Sequence, residues 1–339
     1  MRYRLLGGSG LRVSEVALGT MTFGETKGWG ADEAEARAIL GAFAEAGGVF
    51  LDTAPSYAGG AAECIVGDFI KGDRDRFVIG TKFTASNDRH ILAGGNSAAA
   101  MIRSVECSLR QLGTDYIDLL WLHYWDGTTP LAEILRGFEA LIAAGKIRYV
   151  GFSDTPAWIV SRAVTMAEMR GWAVPAAVQI EYSLAARDAE RDLLPMAEAL
   201  GLSAVCWGPL AAGALAAGGD PQRRPADKVP GPLRAAADRV ATLAAEAGMS
   251  PRALALAWLM RHPTRMAAIP ILGARRAGQL AENLAALDGP VLDADLAAAL
   301  DAATAPRLGF PHDLIKSNFL RRLALGDPEA LIPPNRPRA

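Results

Sequence analysis

Short apolar runs alternate with longer amphipathic segments along this chain of 339 residues. Such alternation is typical of repeated strand–helix units whose strands form a parallel sheet. Eight units can be counted, and their strands are mostly continuous apolar runs, as expected where both faces of a sheet are buried. The predicted strands are 14–18, 49–52, 77–82, 117–123, 149–152, 177–181, 204–207 and 267–271.

The helices between these strands are indicated by single apolar stripes. Each stripe ends at a glycine, at Gly47, Gly113 and Gly145 in three examples. Glycine ends helices readily because it adopts a left-handed backbone at little cost. The residues expected to face inward are Ala36, Ile39, Leu40 and Phe43, then Ile102, Val105, Leu109 and Leu112, then Leu131, Ile134, Leu135, Phe138 and Leu141.

Three segments fall outside the eightfold repeat. They are a hairpin at 3–13, whose turn is the Gly-Gly-Ser-Gly sequence at 7–10, an extra helix near 233–247, and a tail at 306–339. The long loop 208–231 before the extra helix is of the kind that forms lids or binding segments. No linker divides the chain. The prediction is a single α/β domain over 1–339, a (β/α)8 TIM barrel with an N-terminal hairpin and extra helices, whose tail packs over a barrel mouth or is partly disordered.

The composition of the chain indicates whether its partner is a nucleic acid, a membrane or a small molecule. The chain is 51% apolar and 21% charged, which is typical of a globular protein with a large core. A formal charge of −2 offers no broad basic field for nucleic acid or an anionic membrane. No apolar run approaches the roughly 18 residues of a membrane span. We therefore expect a cytoplasmic protein that acts on a small molecule.

Cysteine and histidine are too sparse for a disulfide framework or a metal centre. Cys64, Cys107 and Cys206 lie far apart without metal-ligand spacing, and their odd number disfavours paired bridges. Only four histidines occur, which disfavours a site with several histidine ligands. The expectation is three reduced thiols and no metal.

Polar residues at the ends of the predicted strands are the candidate chemistry. Side chains at the C-terminal ends of barrel strands converge on one face. Asp52, Lys82 and His123 end the second, third and fourth predicted strands, and Tyr57 follows in the loop after the second. Any one of them alone could be a cap or a structural side chain. All four at one barrel end indicate a catalytic site.

These four residue types suit the reduction of a carbonyl group. That reaction delivers a hydride to carbon and a proton to oxygen, so a proton donor is required. A free tyrosine has a pKa near ~10, and an adjacent ammonium lowers it. Lys82 is predicted to lower the pKa of Tyr57, with Asp52 holding the lysine charged and oriented. His123 is predicted to act as a neutral donor that either holds the carbonyl oxygen or shares in the proton transfer.

Several sequence stretches resemble the aldo-keto reductase superfamily. They are Leu-Asp-Thr-Ala-Pro-Ser-Tyr at 51–57 with Glu63 and Gly67, Gly-Thr-Lys at 80–82 and Leu-Gly-Thr-Asp-Tyr-Ile-Asp at 112–118. The resemblance runs from the hairpin to the Glu-Asn-Leu at 282–284. It implies the Asp, Tyr, Lys, His tetrad and a nicotinamide cofactor bound without a Rossmann domain. The most similar branch includes bacterial reductases related to potassium-channel β subunits.

The resemblance also implies a set of cofactor contacts at the ends of further strands. An arginine beside a helix start offers a planar fork of donors to a phosphate, so NADPH is expected in preference to NADH. Trp125 is interpreted either as a core residue or, together with Phe23, as a residue that lines the substrate pocket. The implied cofactor residues are Gly19, Thr20 and Met21 beside the ribose, Ser153, Asp154 and Gln179 at the carboxamide, Trp207 stacked on the nicotinamide, Pro209 and Leu210 at the pyrophosphate, and Gly273, Arg275, Gln279, Glu282 and Asn283 at the adenosine 2′-phosphate and adenine.

The chain departs from the family pattern in two places. The serine at the carboxamide position is usually followed by Asn, whereas this chain has Asp154. Many relatives carry a lysine in the loop over the pyrophosphate, where this chain has Gly-Gly-Asp at 218–220. The first change replaces an amide with a carboxylate, and the second removes a cation.

The predicted function is an NADPH-dependent reduction of an aldehyde or ketone to an alcohol, with Tyr57 as the general acid. One alternative is a redox-sensing or regulatory subunit that binds the cofactor with little turnover. Another is a lyase in which Lys82 forms a Schiff base with a carbonyl substrate. Sugars, 3-keto compounds, aromatic aldehydes and xenobiotic ketones all remain open as substrates.

Overall fold

The computed structural model describes residues 1–25, 30–216, 230–263, 265–288, 292–315, 317–327 and 330. The Gly-Gly-Asp segment at 218–220 and most of the long loop 208–231 lie outside the described residues. The last part of the tail, 331–339, does so as well.

Eight parallel strands close into a barrel in chain order, because the last strand pairs with both the first and the seventh. A two-stranded antiparallel hairpin precedes the barrel. The predicted fold class, a (β/α)8 barrel with an N-terminal hairpin, is thereby confirmed. The hairpin strands are β1 (Tyr3–Leu5) and β2 (Arg12–Ser14), and the barrel strands are β3 (Ala17–Gly19), β4 (Phe50–Asp52), β5 (Val78–Phe83), β6 (Ile117–Leu122), β7 (Ile147–Ser153), β8 (Ala177–Glu181), β9 (Ser203–Trp207) and β10 (Ile269–Gly273).

Helices connect the strands, and several begin at side-chain caps. Asp32, Ser97 and Ser250 each accept a hydrogen bond from a backbone N–H three residues on. No helix within the described ranges is long and apolar enough to cross a membrane. The helices are α1 (Glu33–Glu45), α2 (Ala61–Ile70), α3 (Ala98–Leu112), α4 (Leu131–Ala143), α5 (Ala157–Arg170), α6 (Leu193–Ala199), α7 (Gly231–Glu246), α8 (Pro251–Arg261), α9 (Ala277–Ala285), α10 (Ala294–Ala303), α11 (His312–Ile315) and α12 (Asn318–Leu325).

Two predicted strands are displaced along the chain. The first barrel strand is 17–19 instead of 14–18, since Ser14 ends the hairpin strand β2. The Ser14 hydroxyl accepts from the backbone N–H groups of Val49 and Phe50 at 3.2 Å each, and so ties the hairpin to the barrel. The last strand is 269–273 instead of 267–271. Apolar runs show that a strand is buried but do not fix which residues pair.

The inward stripe of α3 also differs from the prediction by one position. Ile102 is 41% exposed, whereas its neighbour Met101 is fully buried. The buried row continues through Val105, Leu109 and Leu112 as predicted. Met101 and Val105 are four residues apart and share a face, which places Ile102 to one side of the contact.

The hairpin closes the N-terminal end of the barrel. Leu6 is fully buried in a core cluster that includes Phe50 and Trp121 from the barrel interior. Gly7 has a φ of +56°, and a Cβ there would lie 2.1 Å from the carbonyl oxygen of Ala176. Only glycine fits this close approach. With one end plugged, the C-terminal end of the barrel is left for a ligand.

The described part of the tail is helical. It contains α11 and α12, and His312 Nε2 lies 3.0 Å from Asp192 Oδ1 just before α6. Phe310 and Phe319 are 84% and 70% exposed. The described part of the tail therefore contacts the chain beside the start of α6 and leaves two phenylalanine side chains exposed.

Candidate active site

The four predicted catalytic residues meet at the C-terminal end of the barrel. Asp52 is the last residue of β4, Lys82 the fifth of β5, and His123 follows β6. Tyr57 begins a short 3-10 turn after β4. Parallel strands in register carry these side chains to one rim, although they are far apart in the chain.

Lys82 and Asp52 form a buried ion pair. Lys82 Nζ donates to Asp52 Oδ2 at 2.5 Å and to the backbone oxygen of Thr53 at 2.8 Å. The second carboxylate oxygen of Asp52, Oδ1, accepts from Gln179 Nε2 at 2.8 Å. Both side chains are at most 3% exposed. Burial acts to lower the pKa of Lys82, but Asp52 and Tyr57 together raise it above its usual value, so the ammonium stays charged.

Tyr57 lies directly over this ammonium. Lys82 Nζ is 4.9 Å from the centre of the Tyr57 ring. Burial raises the pKa of Tyr57, while the charge and hydrogen bond of Lys82 act to lower it. The net pKa lies above the usual value, whereas the sequence predicted a pKa below it. The reason is that burial of the phenol outweighs the cation, so Tyr57 holds its proton throughout the neutral range.

His123 is uncharged at this site. Burial, with a further contribution from the Lys82 charge, lowers the pKa of His123 to about 3. Its ring meets the Tyr57 ring edge-on, with 6.3 Å between the ring centres. A neutral imidazole beside the phenol can donate or accept a hydrogen bond without carrying charge into the pocket.

Glu63 is a buried acid that supports the site from behind. It lies on α2, is fully buried, and its Oε1 accepts from Thr81 Oγ1 at 2.5 Å. Thr81 precedes Lys82 in β5. Burial raises the pKa of Glu63 to about 7, although the hydroxyls of Thr81 and Ser108 and the charge of Lys82 oppose this. Folding therefore favours its protonated form.

Glu63→Gln is expected to remove a pH dependence of stability. Between pH ~4.5 and ~7 the folded chain keeps a proton on Glu63 that the unfolded chain loses, so the free energy of unfolding falls as pH rises, by about 3 kcal/mol. The amide of the variant would still accept from Thr81 but would not titrate. Urea unfolding of wild type and variant at pH 5 and pH 8 measures how the free energy of unfolding changes with pH. If the free energy of unfolding fell equally in wild type and variant, the pH dependence would not come from Glu63.

A cavity of about 540 Å³ opens beside the tetrad. That volume is within the range of sites for small molecules and cofactors. Asp52, Tyr57 and His123 border it, whereas Lys82 lies behind them. The wall also carries most of the predicted cofactor residues, namely Gly19, Met21, Ser153, Asp154, Gln179, Trp207, Pro209, Leu210, Gly273, Arg275, Gln279 and Asn283.

Two predicted cofactor residues do not border this cavity. Thr20 is fully buried, and its hydroxyl donates to the backbone oxygen of Asp52 at 3.1 Å. Glu282 Oε2 pairs with Arg252 Nη1 at 2.7 Å. Both therefore support neighbouring wall residues in the structure.

The two predicted substrate residues also lie off the cavity wall. Phe23 is fully buried in the main hydrophobic core and is not among the residues that border the cavity. Trp125 packs partly against the same core and meets Trp158 edge-on at 5.6 Å between ring centres. The sequence identified both as apolar residues near the rim, but apolarity alone does not distinguish a pocket wall from a core.

Arg252 is a wall residue that was not predicted from the sequence. It lies in the first turn of α8, just after the Ser-Pro start of that helix. Its Nε is buried without a hydrogen-bond partner among the residues that the structure describes. The sequence signal that could have identified Arg252 was its position in the first turn of a helix. A cation there is disfavoured by the helix dipole. Such a placement is more favourable if an anion binds beside it.

The wall fits a phosphorylated nicotinamide dinucleotide. Arg275 and Arg252 supply guanidinium groups, and the buried Nε of Arg252 lacks an acceptor within the described ranges. Trp207 supplies an aromatic ring, while Ser153 and Gln179 supply polar groups beside the tetrad. Planar guanidinium groups match phosphate oxygens, and aromatic faces match a nicotinamide ring.

Known proteins resemble this chain over most of its length. The sequence profile of the Aldo/keto reductase family matches residues 15–305, and the chain belongs to this family of oxidoreductases. It is 35% identical to a norsolorinic acid reductase from Aspergillus flavus, over 92% of this chain and 84% of the relative. It is likewise 35% identical to an aryl-alcohol dehydrogenase [NADP(+)] from Phanerodontia chrysosporium, over 85% and 82%. The potassium-channel branch stays a prediction.

Proposed function

We propose that the chain is an NADPH-dependent reductase of aldehydes or ketones, with Tyr57 as the general acid. The observation that carries this proposal is the buried ammonium of Lys82. It lies 4.9 Å from the centre of the Tyr57 ring and is paired with Asp52 at 2.5 Å. A fixed cation beneath a phenol stabilises the phenolate that forms when the proton leaves.

The residues of the chain would bind, orient and protonate the substrate. The chemistry that a bound NADPH supplies is hydride donation to the carbonyl carbon. Tyr57 Oη gives its proton to the carbonyl oxygen, and Lys82 stabilises the resulting phenolate. Neutral His123 holds the same oxygen by a hydrogen bond. Asp52 keeps Lys82 charged and in place, and Gln179 orients Asp52.

The phosphorylated cofactor is favoured by the two arginines of the wall. Arg275 lies just ahead of α9, and Arg252 lies in the first turn of α8. Guanidinium groups at this end suit a 2′-phosphate, which NADH lacks. The relative from Phanerodontia chrysosporium is named as an NADP(+) enzyme. Tighter binding of NADPH than of NADH is expected.

Aromatic carbonyl compounds are the substrate class that we favour. Tyr124 and Trp158 are 44% and 59% exposed near the same rim, and Trp158 packs edge-on against Trp125. Tyr124 contacts His123, with 5.5 Å between the ring centres. Exposed aromatic rings stack well on aromatic ligands. Two relatives are named for norsolorinic acid and for aryl alcohols.

The Schiff-base alternative is disfavoured by the state of Lys82. Its side chain is 1% exposed, and its ammonium donates to Asp52 and Thr53 behind the cavity wall. A lysine nucleophile needs a neutral amine and access to substrate. Borohydride added with a carbonyl substrate should therefore leave no adduct on Lys82.

The test of the proposed function is consumption of NADPH with a panel of aldehydes and ketones. We expect loss of NADPH absorbance with aromatic carbonyl compounds and a slower reaction with NADH. Tight NADPH binding without turnover of any compound would favour the redox-sensing alternative. No binding of either nucleotide would overturn the proposal.

A further inference from the structure

Asp154 places a carboxylate on the cavity wall next to the aromatic ring of Trp207. It follows the last residue of β7, and its Oδ1 accepts a hydrogen bond from Trp207 Nε1 at 3.0 Å. Both residues border the cavity. The indole therefore holds the carboxylate in one orientation at the end of the pocket that contains the tetrad.

The backbone at Asp154 limits what can occupy this position. Its φ is +39°, in the left-handed region, and its backbone N–H donates to the Gln179 oxygen at 3.1 Å. Aspartate and asparagine tolerate this region better than other side chains with a Cβ. Of these two residues, asparagine is neutral, whereas the aspartate of this chain adds a negative charge with nearly the same shape.

The charge of Asp154 is not matched by a cation of its own. Among the described residues, no lysine, arginine or histidine forms an ion pair with it. Lys82 acts on it only from a distance and is itself paired with Asp52. Trp207 contributes a neutral donor. The carboxylate is exposed to the open cavity, and within the described ranges its only short contact with another side chain is the hydrogen bond from Trp207.

The proposed reaction creates a positive charge in this pocket. Bound NADPH would supply the hydride that the carbonyl carbon accepts, while Tyr57 would give its proton to the carbonyl oxygen and would regain one from solvent. The nicotinamide ring is uncharged in NADPH and cationic in NADP+. We propose that Asp154 stabilises this cation, so that the chain binds NADP+ more tightly, relative to NADPH, than it would with a neutral residue.

This inference rests on the proposed function and concerns one side chain. A carboxylate that favours the oxidised ring also favours the charge that develops as hydride leaves, and so assists reduction of the substrate. The Trp207 indole fixes the carboxylate beforehand, so little reorganisation is required during the reaction. Asp154 would act as an electrostatic positioning partner of the cofactor and not as a proton donor.

Asp154→Asn is the experiment. The amide oxygen still accepts from Trp207 and asparagine tolerates the same backbone, so the change removes charge with little change of shape. Isothermal titration calorimetry with NADP+ and with NADPH measures both dissociation constants directly. We expect Kd for NADP+ to rise about tenfold more than Kd for NADPH. Circular dichroism checks that the variant is folded.

Asp115→Asn is the matched control. Asp115 is exposed and precedes β6 at the opposite end of the barrel. Its replacement by asparagine therefore removes the same charge far from the cavity. It should leave the ratio of the two dissociation constants unchanged. An unchanged ratio in Asp154→Asn, or equal weakening of both nucleotides, would overturn the inference. Failure of the wild-type protein to bind either nucleotide would overturn the proposed function instead.

Discussion

Tyr57→Phe is expected to lower kcat for carbonyl reduction by about 10³-fold while Kd for NADPH changes less than about threefold. The change removes the proton that the carbonyl oxygen receives. The Phe ring still packs edge-on to His123 and over Lys82, so the pocket keeps its shape. Steady-state kinetics with an aromatic aldehyde and calorimetry with NADPH measure the two effects.

Tyr124→Phe is the control for that experiment. Tyr124 is 44% exposed, and its ring lies beside that of His123. Its change to phenylalanine removes the same group, a phenol hydroxyl. It should keep kcat within a few-fold of wild type. If Tyr57→Phe kept more than a tenth of wild-type activity, the proton would come from elsewhere, and His123 would be the next candidate.

Lys82→Met is expected to abolish reduction and to lower the free energy of unfolding by about 3–5 kcal/mol. Methionine fills a similar volume but leaves the Asp52 carboxylate buried at 3% exposure without its cation. A buried charge without a partner costs more than the pair contributes when intact. Urea unfolding at neutral pH gives the stability, and the NADPH assay gives the activity.

Adding Asp52→Asn to Lys82→Met should restore most of the lost stability, because the buried site is then neutral and the amide oxygen can still accept from Gln179. Activity should stay absent. Lys146→Met is the control, since Lys146 pairs with Glu106 at a half-exposed position and should cost less than about 1 kcal/mol. A double variant as unstable as Lys82→Met would contradict the unpaired-charge explanation.

Much of the fold follows from local patterns in the sequence. A parallel strand buried on both faces is mostly apolar, so β5, β6 and β8 are visible as short runs that are mainly apolar. Helices that pack on such a barrel must carry one apolar stripe. The ends of the strands then point to one rim, and strand polarity alone is enough to place Asp52 and Lys82 together there.

Local sequence patterns do not determine how deeply a residue is buried or which distant residues it contacts. Phe23 and Met21 are both apolar and close in sequence, yet Phe23 is fully buried in the core and Met21 is on the cavity wall. Arg252 contacts the cavity through a helix more than 200 residues after the first barrel strand. Only packing over such separations distinguishes a core residue from a wall residue.

The sequence thus specifies a closed parallel barrel and the chemical groups at its C-terminal rim. The reason is that strands buried on both faces must be mostly apolar and that parallel strands all end at the same rim. The assembled fold decides the protonation and orientation of those groups. It raises the pKa of Tyr57, which the sequence predicted to be lowered, it lowers the pKa of His123 by burial, and it holds Asp154 against Trp207. Each of these depends on burial and on contacts between distant segments. A pKa shift or an ion pair exists only once those segments have met.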